Sequence, residues 1–202
     1  MSFRKTDETD HGLINKIRQG SMDAMEKIVA RYENAIFNFG LKMCGQRQDA
    51  EDVAQDTFLN ALKSMPGFRE ETKLKNWLFR IAANACLRKR RKRKHEPERE
   101  ISLEGFIDND TMREFEIPDW STNPDNALMK AEFKSVIDNA IRELPPGYRM
   151  VFTLRDIEGF NTEETAEIIG ISKQLVKTRL HRARFSLRKS VSDQLKGGTD
   201  NG

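Results

Sequence analysis

The chain has 202 residues, with 35 Lys or Arg against 32 Asp or Glu for a net charge of +3, and 37% of its residues are hydrophobic. That apolar share is low for one large globule and suits small helical modules with much surface. No apolar run approaches the roughly 18 residues of a membrane span, and the polar start "MSFRKTDETDHG" lacks a signal-peptide core. Two cysteines, Cys44 and Cys86, and three isolated histidines, His11, His95 and His181, fall at no metal-ligand spacing. These features predict a cytoplasmic, all-α protein without cofactor or metal, with two reduced thiols in or near packed helices. Residues 1–12 are expected to be a disordered tail.

The periodic part begins at Leu13. Leu13, Ile14, Ile17, Met25, Ile28, Val29, Tyr32, Ile36, Phe37 and Phe39 recur at three-to-four spacing up to Gly45, which predicts successive helices. "DAEDVAQDTFLNALKSM" follows, with Ala50, Val53, Ala54, Phe58 and Leu62 facing inward and Pro66-Gly67 as its stop. Its outer face carries Asp49, Glu51, Asp52, Gln55 and Asp56. Taken alone this reads as a solvated face. Beside a basic helix it suits a protein partner, because acid repels phosphate.

A third helix, "KLKNWLFRIAANACLRKRRKRK", puts Leu74, Trp77, Leu78, Ile81 and Ala85 on one stripe and Lys73, Arg80, Asn84, Arg88 and Arg91 on its neighbour. Phosphates suit the cations, and an exposed base edge suits the amide. Phe68, Trp77 and Phe79 are candidate stacking faces for unpaired bases; Trp77 and Phe79 fit a core better. The seven consecutive cations from Arg88 to Lys94 also fit a nonspecific tail or a nuclear-import signal.

Residues 96–126 reverse sign. Ten acids stand against Arg99 and Arg113, with Pro97, Pro118 and Pro124 breaking any period. This composition predicts a flexible acidic linker. Its Ile101, Leu103, Phe106, Phe115, Ile117 and Trp120 are more apolar than a spacer needs and suit docking on a partner.

Helical periodicity returns from Ala127 to about residue 192, and residues 193–202 read as a flexible end. "ALMKAEFKSVIDNAIREL" stops at Pro145-Pro146, and "GYRMVFTLRDIEGF" is a second helix. Asn161 and Glu164 make a capping box, Gly170 ends the short helix, and Ser172 caps a longer basic one. This is a helix-turn-helix. Along the last helix Val176, Leu180, Ala183 and Leu187 form the apolar stripe. Gln174, Lys177, Thr178, His181, Phe185 and Arg188 point the other way, with Arg182 on a shoulder. Such a helix fits the major groove: Lys and Arg donate to guanine, Gln to adenine, and Thr to either. Arg179 and Arg184 sit toward the flanks and suit phosphates.

Three motifs in this order resemble the extracytoplasmic-function group of bacterial RNA polymerase sigma factors. "QDAEDVAQDTFLNALKSMPGFR" is similar to the family's polymerase-binding helix, and "LKNWLFRIAANACL" to its minus-10 helix. "LPPGYRMVFTLRDIEGFNTEETAEIIGISKQLVKTRLHRARFSLRK" is similar to its minus-35 domain. The resemblance implies a sigma region 2 bundle at 13–95 and a sigma region 4 helix-turn-helix at 127–192, joined by the linker. It implies that Asp52, Gln55 and Asp56 face the clamp helices of the polymerase's largest subunit, with the flap as a further contact. Asn84 would lie beside the pocket for an extruded base, with Arg80 and Arg88 near the strand. Lys177, Thr178, His181 and Arg182 would address minus-35 bases. The linker would run through the polymerase as a nucleic-acid mimic. The partners implied are core RNA polymerase, promoter DNA in duplex and single-stranded form, and an anti-sigma factor that holds the protein at the membrane without insertion. Two features depart from the family's common pattern: Gln174-Leu175 replace a Gly-Thr, and Arg88 replaces an Asp.

Two rival readings differ in mechanism. A helix-turn-helix regulator would bind duplex operators without polymerase, and it leaves the acidic face unexplained. A nucleic-acid enzyme would bind Mg²⁺ through Glu51, Asp52 and Asp56, but their helix spreads them over an arc and no nucleophile motif accompanies them. No enzymatic activity is expected.

Overall fold

A computed structural model describes the backbone at residues 3–93 and 127–197, and side chains at 10–90 and 134–194. The acidic linker at 96–126, the Arg91 side chain and the final residues from 198 lie outside these described parts.

Helix α1, Phe3–Arg18, begins inside the segment expected to be a disordered tail. The buried Asp10 accounts for the difference: its carboxylate accepts hydrogen bonds from Arg31 and from the Tyr32 hydroxyl. A polar anchor of that kind leaves no mark on hydrophobic periodicity. Helix α2, Met22–Cys44, starts at Ser21, whose hydroxyl accepts from the Ala24 amide, and ends at Gly45 with φ 76°. That left-handed turn costs glycine little and lets its amide close on Leu41.

Helix α3, Arg47–Ser64, lies close against α2 at Gly40, where an added Cβ would meet the Ala50 backbone at 3.2 Å. Small residues therefore face inward. Ala50, Val53, Thr57 and Ala61 are buried, whereas Ala54, Phe58 and Leu62 are only partly covered. The inner face is thus rotated from the one periodicity suggests. Thr57 belongs there because its hydroxyl donates to the Val53 carbonyl at 2.6 Å.

A 3₁₀ turn, Met65–Gly67, leads to helix α4, Leu74–Arg93. Contacts from α2 and α3 bury one side of α4. Leu78, Phe79 and Ala82 are wholly buried, and Ala83, Ala85 and Cys86 nearly so. Both cysteines are free. Cys44 closes α2, and its thiol is hydrogen-bonded to that of Cys86. This contact, then burial, pushes the Cys86 thiol up from its ordinary value.

The second unit comprises α5, Ala127–Glu143, and α6, Pro146–Phe152, which continues as a π-helical turn over Thr153–Ile157. Helices α7, Thr162–Ile169, and α8, Lys173–Gly197, complete it. Its core is Ile141, Leu144, Val151, Phe152, Ala166, Val176, Leu180 and Ala183. Among the described residues there is no strand.

The two units touch. Met150, Leu154, Phe160 and Ile168 reach into the core of the first. Phe160 meets Phe79 edge to face, with ring centroids 4.9 Å apart. Lys42 pairs with Asp138 at 3.1 Å, and Arg149 donates to the Met43 carbonyl at 3.1 Å.

Candidate nucleic-acid interface

The helix-turn-helix forms as its sequence signals predict. The Asn161 side chain accepts from the Glu164 amide at 2.8 Å, and Glu164 accepts from the Asn161 amide at 3.0 Å. Gly170 ends α7 at φ 69°, and Ser172 accepts from Leu175 at 3.2 Å to start α8. Val176, Leu180 and Ala183 bury the stripe, with Leu187 packed at its edge.

The opposite face of α8 is open. Gln174, Lys177, His181 and Arg188 are exposed, and Phe185 is 64% exposed. The Thr178 hydroxyl donates to the Gln174 carbonyl at 3.0 Å. Three arginines are more committed than the sequence suggests. Arg182 leans toward the Tyr148 hydroxyl at 3.4 Å, and the Arg179 guanidinium covers Gly147. Arg184 makes two parallel hydrogen bonds to Asp156, at 2.9 and 2.8 Å, and that carboxylate is only 10% exposed. Asp156 holds the Arg184 guanidinium above its ordinary pKa. Arg184, expected as a phosphate contact, braces α8 against the π-helical turn. The bidentate pair occupies the Nε–Nη2 edge of the guanidinium and leaves only its Nη1 end to meet solvent.

On α4, Arg80, Asn84 and Arg88 are exposed on one side. Lys73, just before the helix, pairs with Glu164 of α7 at 3.5 Å. Phe68 does not present a free face: it is 7% exposed and stacks on Trp77, with centroids 4.6 Å apart. Phe79 is core, as its alternative reading has it. Arg91 lies among the undescribed side chains.

The acidic face of α3 is narrower than expected. Glu51, Asp52, Gln55 and Asp56 are exposed, but Asp49 is 4% exposed and turns inward. Lys89 of α4 explains this. Its ammonium lies 3.0 Å from Asp49 and also pairs with Asp52. Burial lowers the Lys89 pKa, but the two carboxylates outweigh it and hold it above the ordinary lysine value. In the sequence Lys89 reads as one of a run of cations. Its signal, a lysine facing two acids one turn apart on another helix, needs the packing of α3 on α4 to be known. Among the described residues no group of His, Cys, Asp or Glu is arranged to hold a metal ion, and no helix is long and apolar enough to cross a membrane.

An open basic recognition helix in one unit, and a second basic helix flanked by acid in the other, define a two-unit DNA-binding transcription factor. The Sigma-70 region 2 family profile matches residues 28–96, and that of Sigma-70 region 4 matches residues 134–187. The chain is 33% identical to the ECF RNA polymerase sigma factor SigW of Bacillus subtilis, over 89% of this chain and 95% of that one. It is 30% identical to the ECF RNA polymerase sigma-E factor of Haemophilus influenzae, over 91% and 95%. The chain belongs to the extracytoplasmic-function group of RNA polymerase sigma factors. Its fold is that of CnrH, solved in complex with the cytosolic domain of CnrY, with a TM-score of 0.66 and 23% identity over 92% of this chain and 98% of that one. With core RNA polymerase it recognises minus-35 and minus-10 promoter elements, promotes strand opening and directs initiation; the polymerase-independent regulator is the reading set aside. Sigma factors are not enzymes in the catalytic sense.

Proposed function

We propose that the named side chains divide this work as follows. The exposed Asp52, Gln55 and Asp56 of α3 dock on the clamp helices of the polymerase's largest subunit, and the second unit meets the flap. Arg80 and Arg88 neutralise phosphates of the displaced minus-10 strand, and Asn84 reads a base taken out of the stack. Gln174, Lys177, Thr178, His181 and Arg182 of α8 address minus-35 bases in the major groove, and Arg179 a flanking phosphate. The first domain runs to residue 95 and includes α1, and the second runs from residue 127 through α8. The protein works in the cytoplasm on the nucleoid, and an anti-sigma factor restrains it, anchored at the membrane.

The observation that carries this reading is the pair of adjacent faces on one small unit: acid on α3 and, on α4, cations around a single amide. Acid suits a protein and cations suit a strand, so one rigid unit holds polymerase and DNA at a fixed offset. The sequence has no GxxxxGK[ST] motif, so binding energy drives strand opening. Unstacking costs a few kcal/mol per base, and capture of the freed base offsets it.

Asp52→Arg combined with Gln55→Ala tests the reading. The double variant, with helicity unchanged by circular dichroism, is expected to lose co-elution with core polymerase. Retained affinity would contradict the docking face.

A further inference from the structure

Residues 68–73 link the 3₁₀ turn to α4 without regular structure. Glu70 among them has φ 57° and is the one residue other than glycine with positive φ in the described parts of the chain. A long side chain rarely accompanies that left-handed backbone, so neighbouring contacts must hold it. Helix α1 supplies them. Its Leu13, Ile14 and Ile17 are buried, which fixes the helix on the first unit. His11, Asn15 and Arg18 follow at i, i+4 and i+7 along an adjacent stripe. Arg18 Nη1 donates to the Glu70 carboxylate at 2.8 Å, and Arg18 Nη2 donates to the Phe68 carbonyl. The Asn15 amide donates to His11 Nε2 at 3.1 Å, which leaves His11 Nδ1 to donate to the other Glu70 oxygen. Burial raises the Glu70 pKa, but His11 and Arg18 outweigh it and hold the carboxyl below its ordinary value.

The bend held in this way borders the face that the proposed function gives to minus-10 DNA. Phe68 at its start stacks on Trp77, and the Lys73 carbonyl at its end accepts from the Trp77 amide at 3.1 Å. Thr72 lines a narrow crevice with Asn76, Trp77 and Arg80 of α4. The Arg69 and Lys73 side chains are 83% and 50% exposed, so the loop adds cations beside those of the helix. Both ends of the loop are tied to α4, and the contacts from α1 set the bend between them. A shift of that bend moves Thr72 and Lys73 relative to Arg80 and Asn84. A binding constellation reads its ligand only while such offsets are held by supporting contacts.

We propose that Glu70 is a positioning residue for minus-10 recognition: Arg18 and His11 of α1 clamp its carboxylate, and the clamp sets where Thr72 and Lys73 stand relative to Arg80 and Asn84. This rests on the assignment of Lys73, Arg80 and Asn84 to the strand. Glu70 acts through the loop and touches neither base nor phosphate. Helix α1 thereby takes part in promoter reading without meeting DNA. The clamp also explains a glutamate at a bend that glycine would adopt more readily, since glycine brings no carboxylate for α1 to hold.

Variants of the full chain, assembled with core polymerase, test it. A fluorescent base analogue in the minus-10 element of a template selected by this chain reads strand opening. Templates with single minus-10 substitutions read discrimination, and thermal melts and co-elution with core check folding and docking. Glu70→Gly relaxes the bend but removes the clamp, and Arg18→Gln removes the clamp from the other side. Each is expected to stay folded and to co-elute with core, yet to open the preferred template about tenfold more slowly and to lose discrimination among the substituted ones. The double variant is expected to be no slower than either single one, because both remove the same clamp. Glu71→Gln, at an exposed neighbour, is expected to behave as wild type. Wild-type opening and discrimination in Glu70→Gly, additive losses in the double variant, loss of core co-elution together with opening, or a Glu71→Gln variant as slow as Glu70→Gly would each overturn the proposal. Failure of the minus-10 assignment itself shows differently: Arg80→Ala with Asn84→Ala would leave promoter opening by the polymerase-bound protein unaffected.

Discussion

Helices α4 and α8 are both long and cationic, yet they sit in opposite surroundings. Helix α8 buries a single stripe and leaves a broad face to solvent. Helix α4 is wrapped by α2 and α3 and then capped by α7, so among its described side chains little stays open beyond Arg80, Asn84 and Arg88. The difference separates two ways of presenting charge to DNA. On α8, fold and function lie on opposite sides of one helix and can be changed independently. On α4 they interleave, so a substitution aimed at DNA also perturbs packing, polymerase docking or the contact between units.

The largest expected effect comes from Phe79→Ala on α4. The ring is wholly buried between Phe39 and Phe160, and its loss should cost about 3–5 kcal/mol, read as a lower denaturant midpoint. On the open face of α8, Phe185→Ala should stay within about 0.5 kcal/mol of wild type. Equal losses at the two sites would break the comparison.

Arg184→Ala and Lys177→Ala sharpen it within α8. Removing Arg184 strands a mostly buried Asp156 and should cost about 1.5–3 kcal/mol of stability. Lys177→Ala should leave the melting temperature alone but weaken minus-35 duplex binding by the polymerase-bound protein by about 1–3 kcal/mol. A reduced salt dependence without lost stability in the Arg184 variant would return that residue to the DNA.

The recognition helix was legible because its signals are local: a capping box at Asn161, a glycine at 170, and one apolar stripe. Those devices act within a few residues, so periodicity and caps carry them. Thr57 was not legible, because its hydroxyl is satisfied inside α3 by the Val53 carbonyl. Asp10 and Asp49 were not, because each is a polar residue whose burial depends on a partner in another helix. The same holds for Arg184 and Lys89, where a cation that looks free in sequence meets a carboxylate only after tertiary packing. An aromatic near a basic helix suits a base or a neighbouring ring equally well, and for Phe68 the structure supplies Trp77 as a ring. The contact between units could not be read at all, since it joins α4 to α7 across the acidic linker.

A smaller effect concerns pH. Burial raises the Glu164 pKa, but the Asn161 amide, the Asn76 side chain and Lys73 outweigh it and hold the carboxyl below its ordinary value. A depressed folded-state pKa contributes stability above the unfolded value and loses it as pH falls through the folded one. Thermal melts should therefore show wild type losing more stability than Glu164→Gln on acidification below the ordinary carboxylate range. Parallel pH profiles would contradict this.

The most direct test of the account is run-off transcription by purified core polymerase on a template bearing minus-35 and minus-10 elements selected by this chain. Adding the protein should give a discrete start that core polymerase alone does not make, and the chain should co-elute with core in gel filtration. Duplex binding by the free chain, with neither co-elution nor a new start, would contradict it.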